Sequence, residues 1–139
     1  MFISPETFKR EMKRIEINPD DYEAVVCILN GGFYPAHYVA QKYGLPLHIV
    51  KVHSYNGKKQ KEIQFDYDSG FDQIITNKKF LLIDDIYDTG KTISYIKDRY
   101  FDCKFDVYTF INKQIATDYD HAINFIKEDW VTFFWEKLN

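Results

Sequence analysis

Residues Ala24 to Leu29 read AVVCIL, an unbroken apolar run rich in β-branched side chains. A strand with water on one face alternates polar and apolar residues, whereas a run without alternation has to be covered on both faces. That demand points to a parallel sheet with helices on each side, and the flanking residues agree. NGGFYP (Asn30 to Pro35) is a glycine turn that places Pro35 at the first position of a helix. Ala36, Val39, Ala40 and Tyr43 recur at helical spacing, and Gly44 ends that helix. LHIVKVH (Leu47 to His53) is the next strand, which completes one βαβ unit.

The rest of the chain extends this pattern. Ser4-Pro5-Glu6 reads as a helix start, with Phe8, Met12 and Ile15 on one face. Residues 54–77 differ: Asn56-Gly57 signals a tight turn, Lys58, Lys59 and Lys61 follow, and large aliphatic residues are few. We read them as a long mobile excursion, in the form of a two-stranded arm. FLLI (Phe80 to Ile83) resumes the sheet, Ile93, Ile96 and Tyr100 mark a helix, and KFDVYTFI (Lys104 to Ile111) is another strand. HAINFI (His121 to Ile126) is the last strand, with an aromatic-rich tail behind it. The expectation is one α/β domain over 1–139, with a mostly parallel twisted sheet, an arm over about 54–77 and a terminal segment over about 113–139.

Composition narrows the function classes. A chain of 139 residues with 45% hydrophobic residues can bury a core without disulfide or metal staples. A net charge of -3 argues against bulk nucleic-acid binding. Cys27 and Cys103 sit in apolar stretches and read as reduced core residues of a cytoplasmic protein. The start of the chain lacks the apolar core of a signal peptide, and no apolar run is long enough to span a membrane. His37, His48, His53 and His121 show no metal-ligand spacing.

The chemistry concentrates in KKFLLIDDIYDTGKTIS, from Lys78 to Ser94. Its end resembles a nucleotide-binding P-loop, which would require a glycine where Asp85 stands, and a carboxylate there would repel phosphate. A different division fits better. FLLI is a rigid support, and Asp84 and Asp85 stand at its carboxyl end, where open α/β sheets bind ligands. Strand alternation points their side chains in different directions, one toward sugar hydroxyls and one toward a metal ion. Asp88-Thr89-Gly90-Lys91-Thr92 then turns into a helix N-terminus, whose free N–H groups and threonine hydroxyls make a phosphate cradle. Sugar hydroxyls, a phosphate and Mg²⁺ together describe a ribose phosphate.

LLIDDIYDTGKT resembles the signature of the type I phosphoribosyltransferases, which binds phosphoribosyl pyrophosphate (PRPP). The resemblance covers most of the chain from residue 24 onward and is strongest to the 6-oxopurine branch. It implies the type I fold, with a flexible lid arm and a small C-terminal hood. It implies that Asp84, Asp85, Asp88, Thr89, Gly90, Lys91 and Thr92 hold the ribose and 5′-phosphate. Asp88 is then the catalytic acid or base, and Asp85 the protein ligand to Mg²⁺. ILNGGFYP resembles the pyrophosphate loop, so Asn30, Gly31 and Gly32 take that role, with Leu29–Asn30 as the expected place of a cis peptide. The family usually carries Lys or Arg at the position of Asn30, and the missing charge puts PRPP affinity in question. Ser54-Tyr55 corresponds to the start of the lid. Lys113 would donate to the exocyclic oxygen of a purine. In EDWVTFFWE, Trp130 would stack on the base and the Val131 backbone would read its edge, while Phe133, Phe134 and Trp135 pack. The resemblance further implies a homodimer or homotetramer acting on PRPP and a purine base, without nucleic acid or membrane. Two competing readings stay open: a transferase for another base, and a non-catalytic PRPP-binding regulator, to which Asn30 points.

Overall fold

The computed structural model describes residues 1–57, 61–114, 121–125 and 130–137, with only the backbone of 121–125 and 137. The strands are β1 (Phe2–Ile3), β2 (Tyr22–Leu29), β3 (Leu47–Asn56), β4 (Lys61–Asp68), β5 (Lys79–Tyr87), β6 (Phe105–Asn112), β7 (His121–Phe125) and β8 (Thr132–Phe133). The helices are α1 (Pro5–Met12), α2 (Phe33–Tyr43) and α3 (Lys91–Arg99). Six strands form one sheet in the order β4-β3-β2-β5-β6-β7, parallel throughout except for the antiparallel edge strand β4. This is the mostly parallel α/β architecture that AVVCIL demands.

Alternation along β2 divides that run between two cores. Val25 and Cys27 face Met12, Val39 and Ala40 of α1 and α2, together with Phe133. Ala24, Val26 and Ile28 face Ile93 and Ile96 of α3 on the other side. Leu81 and Ile83 of β5 join the first core, and Phe80 and Leu82 the second. No residue of 24–28 is more than 3% exposed, which explains why the run carries no polar position.

The helix ends follow local chemistry. The Ser4 side chain accepts the N–H of Thr7, capping α1 ahead of Pro5. Gly44 closes α2 in the left-handed conformation at φ 66°. The start of α2 corrects the sequence reading: Gly32 caps the helix and Phe33 opens it, so Pro35 lies within the first turn and not at its first position. Proline is tolerated there because the first N–H groups of a helix have no partner inside it.

The excursion after β3 has two characters. β3 continues past His53 to Asn56 and pairs with β4 from Asn56↔Lys61 back to Val50↔Asp68, making a two-stranded ribbon; its tip, 58–60 with Lys58 and Lys59, lies outside the described residues. Beyond the ribbon the chain is anchored. Phe71 is fully buried against Phe80, Tyr100 and Phe105, worth about 1.5–3 kcal/mol. Strand β4 of the ribbon is held as well: the Tyr100 hydroxyl donates to Asp68, and the Arg99 guanidinium lies 3.5 Å from the centre of the Phe65 ring.

At the chain's two ends, β1 pairs in parallel with β8, Phe2↔Thr132 and Ile3↔Phe133. Phe133 is fully buried, stacked on Trp135, which in turn stacks on Tyr34 of α2. Phe133, Phe134 and Trp135 are packing residues, as expected. Ile126 and 127–129 lie outside the described residues.

Candidate active site

The parallel strands β2, β5 and β6 deliver their carboxyl ends to one edge of the sheet, and the segments leaving that edge carry the polar residues. At the end of β2 the peptide bond Leu29–Asn30 is cis, where the resemblance placed it. Two glycines follow, and a side chain at either would meet a neighbour. A Cβ on Gly32 would stand 2.6 Å from the Ile83 carbonyl oxygen and 2.7 Å from that of Ile28. A Cβ on Gly31 would stand 2.1 Å from Asp85 Oδ2. The loop after β2 and the acids at the end of β5 are therefore in direct contact.

Each acid turns back on its own backbone. Asp84 Oδ1 accepts the N–H of Asp85 at 2.9 Å, and Asp85 Oδ1 accepts that of Ile86 at 2.7 Å. The two side chains have different surroundings, Asp84 lining the hollow at the start of α3 and Asp85 lying against Gly31, yet they are near enough to perturb one another. Burial is the main reason that the Asp84 carboxyl is held well above the usual range, with the Asp85 charge second. Burial raises Asp85 too, against the opposing pull of its hydrogen bonds. Glu136 adds a further acid whose own rise has burial first and Asp85 second among its causes. A buried, mutually repelling carboxyl pair fits a hard cation, which takes oxygen donors and needs only one or two protein carboxylates. Among the described residues no group of three or more His, Cys, Asp or Glu converges on a single point.

The turn after β5 is tight and hollow. Gly90 takes φ 82°, and the Tyr87 ring lies over it, its hydroxyl 2.5 Å from where a Cβ would be. Thr89 Oγ1 accepts the Lys91 N–H at 3.4 Å, and α3 begins at Lys91. Asp84, Ile86 and the run from Tyr87 to Ile93 line a cavity of about 80 Å³ at this helix start. Asp88 is exposed at its rim. A wider groove of about 410 Å³ separates Thr89, Gly90 and Lys91 from Lys61, Glu62 and Ile63 of the ribbon.

The remaining candidates lie around this centre. The backbone N–H of Lys113 donates to the Tyr87 carbonyl at 2.9 Å, and Gln114 Nε2 donates to the Asp88 carbonyl at 2.5 Å. The chain leaving β6 is thus tied to the turn leaving β5. Trp130 is 73% exposed, with its indole N–H on Thr132 Oγ1 and its carbonyl accepting the Met1 amino group. Val131 is buried in the core beside it. Ser54 and Tyr55 are exposed on the ribbon, where the Tyr55 hydroxyl donates to Glu62 at 2.5 Å. Sequence reasoning missed Lys51, whose ammonium donates to Asn30 Oδ1 at 3.2 Å. The only signal was a lone cation inside an apolar strand.

The Pyrococcus horikoshii purine phosphoribosyltransferase shares this fold with a TM-score of 0.82 at 18% identity, over 99% of this chain and 95% of that one. The Helicobacter pylori xanthine-guanine-hypoxanthine phosphoribosyltransferase does so at 0.73 and 23% identity, over 99% and 95%. In sequence, the chain is 27% identical over 131 residues to the xanthine-guanine phosphoribosyltransferase of Idiomarina loihiensis, covering 91% of this chain and 79% of the relative. The enzyme of that name from a Ruegeria species is 27% identical over 129 residues, covering 86% and 73%. The model of the phosphoribosyl transferase domain matches residues 6–136, which spans every feature of the sheet edge described above: this chain belongs to the phosphoribosyltransferase family.

Proposed function

We propose that the protein transfers the 5-phosphoribosyl group of PRPP to a 6-oxopurine base (guanine, xanthine or hypoxanthine) and releases pyrophosphate. The observation that carries the proposal is the packing of Asp85 against Gly31, which joins an acid pair and a glycine loop at one edge of the sheet, beside a hollow helix start. The names of the curated relatives favour a 6-oxopurine as the acceptor.

In this reading the N–H groups from Asp88 to Thr92, with the Thr89 and Thr92 hydroxyls, hold the 5′-phosphate, since a helix N-terminus favours an anion. Lys91 occupies a variable position of that turn and contributes its backbone. Asp84 binds the ribose hydroxyls. Asp85 is the protein ligand to Mg²⁺, directly or through water. When bound, that ion supplies positive charge where the departing pyrophosphate gathers its negative charge. Asn30 and Gly31 present backbone N–H groups to the same group, and Gly32, whose N–H is taken by the Ile28 carbonyl, shapes the loop that holds them. Asp88, at the open rim, moves the proton at purine N7. Lys113 donates to the purine 6-oxygen, Trp130 stacks on the ring and the Val131 backbone reads its edge. Of the lid arm over about 54–77, the outer ribbon that carries Ser54 and Tyr55 closes on the bound donor and keeps water from it, while the part anchored by Phe71 stays with the core. The hood spans about 113–139 of a single domain, 1–139. Homodimeric or homotetrameric assembly and a cytoplasmic location complete the proposal; among the described residues no helix is long and apolar enough to cross a membrane.

The test is pyrophosphate release from PRPP and Mg²⁺ with guanine, xanthine, hypoxanthine and adenine in turn. Release with the 6-oxopurines alone, abolished by EDTA, is the expected result. Measurable PRPP binding with no release for any base would overturn it in favour of a regulatory PRPP-binding module.

A further inference from the structure

The loop at Asn30 carries no charge of its own, and the nearest charges across from it are carboxylates. A pyrophosphate group entering there would meet the Asp85 carboxylate, which lies against Gly31. Lys51 changes this balance. It stands on β3 directly beside Leu29, its partner in the parallel register, so its side chain starts level with the entrance to the loop. Its ammonium reaches Asn30 Oδ1 at 3.2 Å. Lysine only donates, so the amide oxygen faces it. Among the described residues no carboxylate lies within ion-pairing distance of Lys51, in contrast to Lys79, which pairs with Asp106. A carboxylate partner would cancel the charge of Lys51. A neutral amide fixes its position and leaves the charge in place.

We propose that Lys51 is a pyrophosphate-binding residue of this enzyme, supplying from the neighbouring strand the positive charge that the loop itself lacks, with Asn30 as its positioning residue. The assignment rests on the phosphoribosyl-transfer reading and deepens it. It also accounts for the amide at position 30: a lysine or arginine there would stand against Lys51 and repel it, whereas asparagine holds it.

The test compares wild type with Lys51→Met, Lys51→Arg and the double variant Lys51→Met/Asn30→Lys, all with Mg²⁺ present. Calorimetry measures pyrophosphate affinity, and steady-state kinetics measure KM for PRPP and for the purine. A charge-assisted contact predicts about a 10–100-fold weaker pyrophosphate affinity in Lys51→Met, with a matching rise in the KM for PRPP and none for the base. Lys51→Arg retains most of the affinity, and the double variant recovers it by returning the charge to the loop. A merely structural lysine would not be rescued from position 30. Pyrophosphate affinity unchanged in a folded Lys51→Met, or no recovery in a folded double variant, would overturn the assignment. Wild type that binds pyrophosphate through Lys51 yet releases none with any base would leave the assignment standing and sink the transferase reading instead.

Discussion

Two turns build the centre of this molecule, and each joins a buried parallel strand to a helix. The turn after β2 is shaped by its neighbours: Gly31 is pressed by the Asp85 carboxylate, and Gly32 by the carbonyls of Ile28 and Ile83. The turn after β5 is shaped largely from within. Gly90 is required by its own φ of 82° and by Tyr87, three residues back, while Thr89 bonds to Lys91. The first turn thus depends on the whole sheet being assembled, and the second carries its instructions in consecutive residues.

The comparison gives graded expectations. Gly32→Ala has the largest effect, because both obstructing atoms are backbone and neither can rotate away. We expect a loss of about 3 kcal/mol or more, read by urea denaturation, and little active protein. A loss under about 0.5 kcal/mol would mean that the first turn is looser than its geometry. Asp88→Asn separates chemistry from architecture in the second turn: turnover falls by about 10²–10⁴-fold while PRPP affinity holds. Equal losses in both would remove Asp88 from proton transfer. Gly31→Ala has to displace only the Asp85 side chain, so the fold survives and kcat/KM for PRPP falls by about 10²-fold. Gly90→Ala costs about 1–2 kcal/mol of stability from the left-handed backbone alone, measured as a lower Tm.

The smallest effect has the opposite sign. Burial raises the Asp84 pKa on folding, so the native state keeps that proton to a higher pH than the unfolded chain does. The stability associated with Asp84 is therefore present below the unfolded pKa and declines as pH rises through the folded value. Asp84→Asn, in EDTA, is expected to be more stable than wild type at pH 7, with the advantage shrinking by pH 4, while losing activity. A Tm difference that does not change with pH would contradict this.

What could be read in the sequence follows the same division. AVVCIL and FLLI announced buried strands because burial on two faces leaves no alternation. Asp84, Asp85 and the turn from Asp88 to Thr92 were legible because the residues that work together are adjacent in the chain. The bond from Lys51 to Asn30 was not, since it spans 21 residues and depends on the register of β2 with β3. The contact of Gly31 with Asp85 was hidden for the same reason. Pro35 misled because proline is tolerated at several positions in the first turn, and the choice among them is made by the close approach at Gly32. The mutual perturbation of Asp84 and Asp85 was also out of reach, because it depends on how deeply the end of β5 is buried.

The pairing of β1 with β8 has a consequence for the order in which this protein is made. Phe2 and Ile3 are made before the six-stranded sheet, and their partners, Thr132 and Phe133, follow only after it. A nascent chain therefore possesses the acid pair and the turn at Gly90 well before Trp130 can be seated by the Met1 amino group. While the intervening sheet is made, β1 waits without its partner strand.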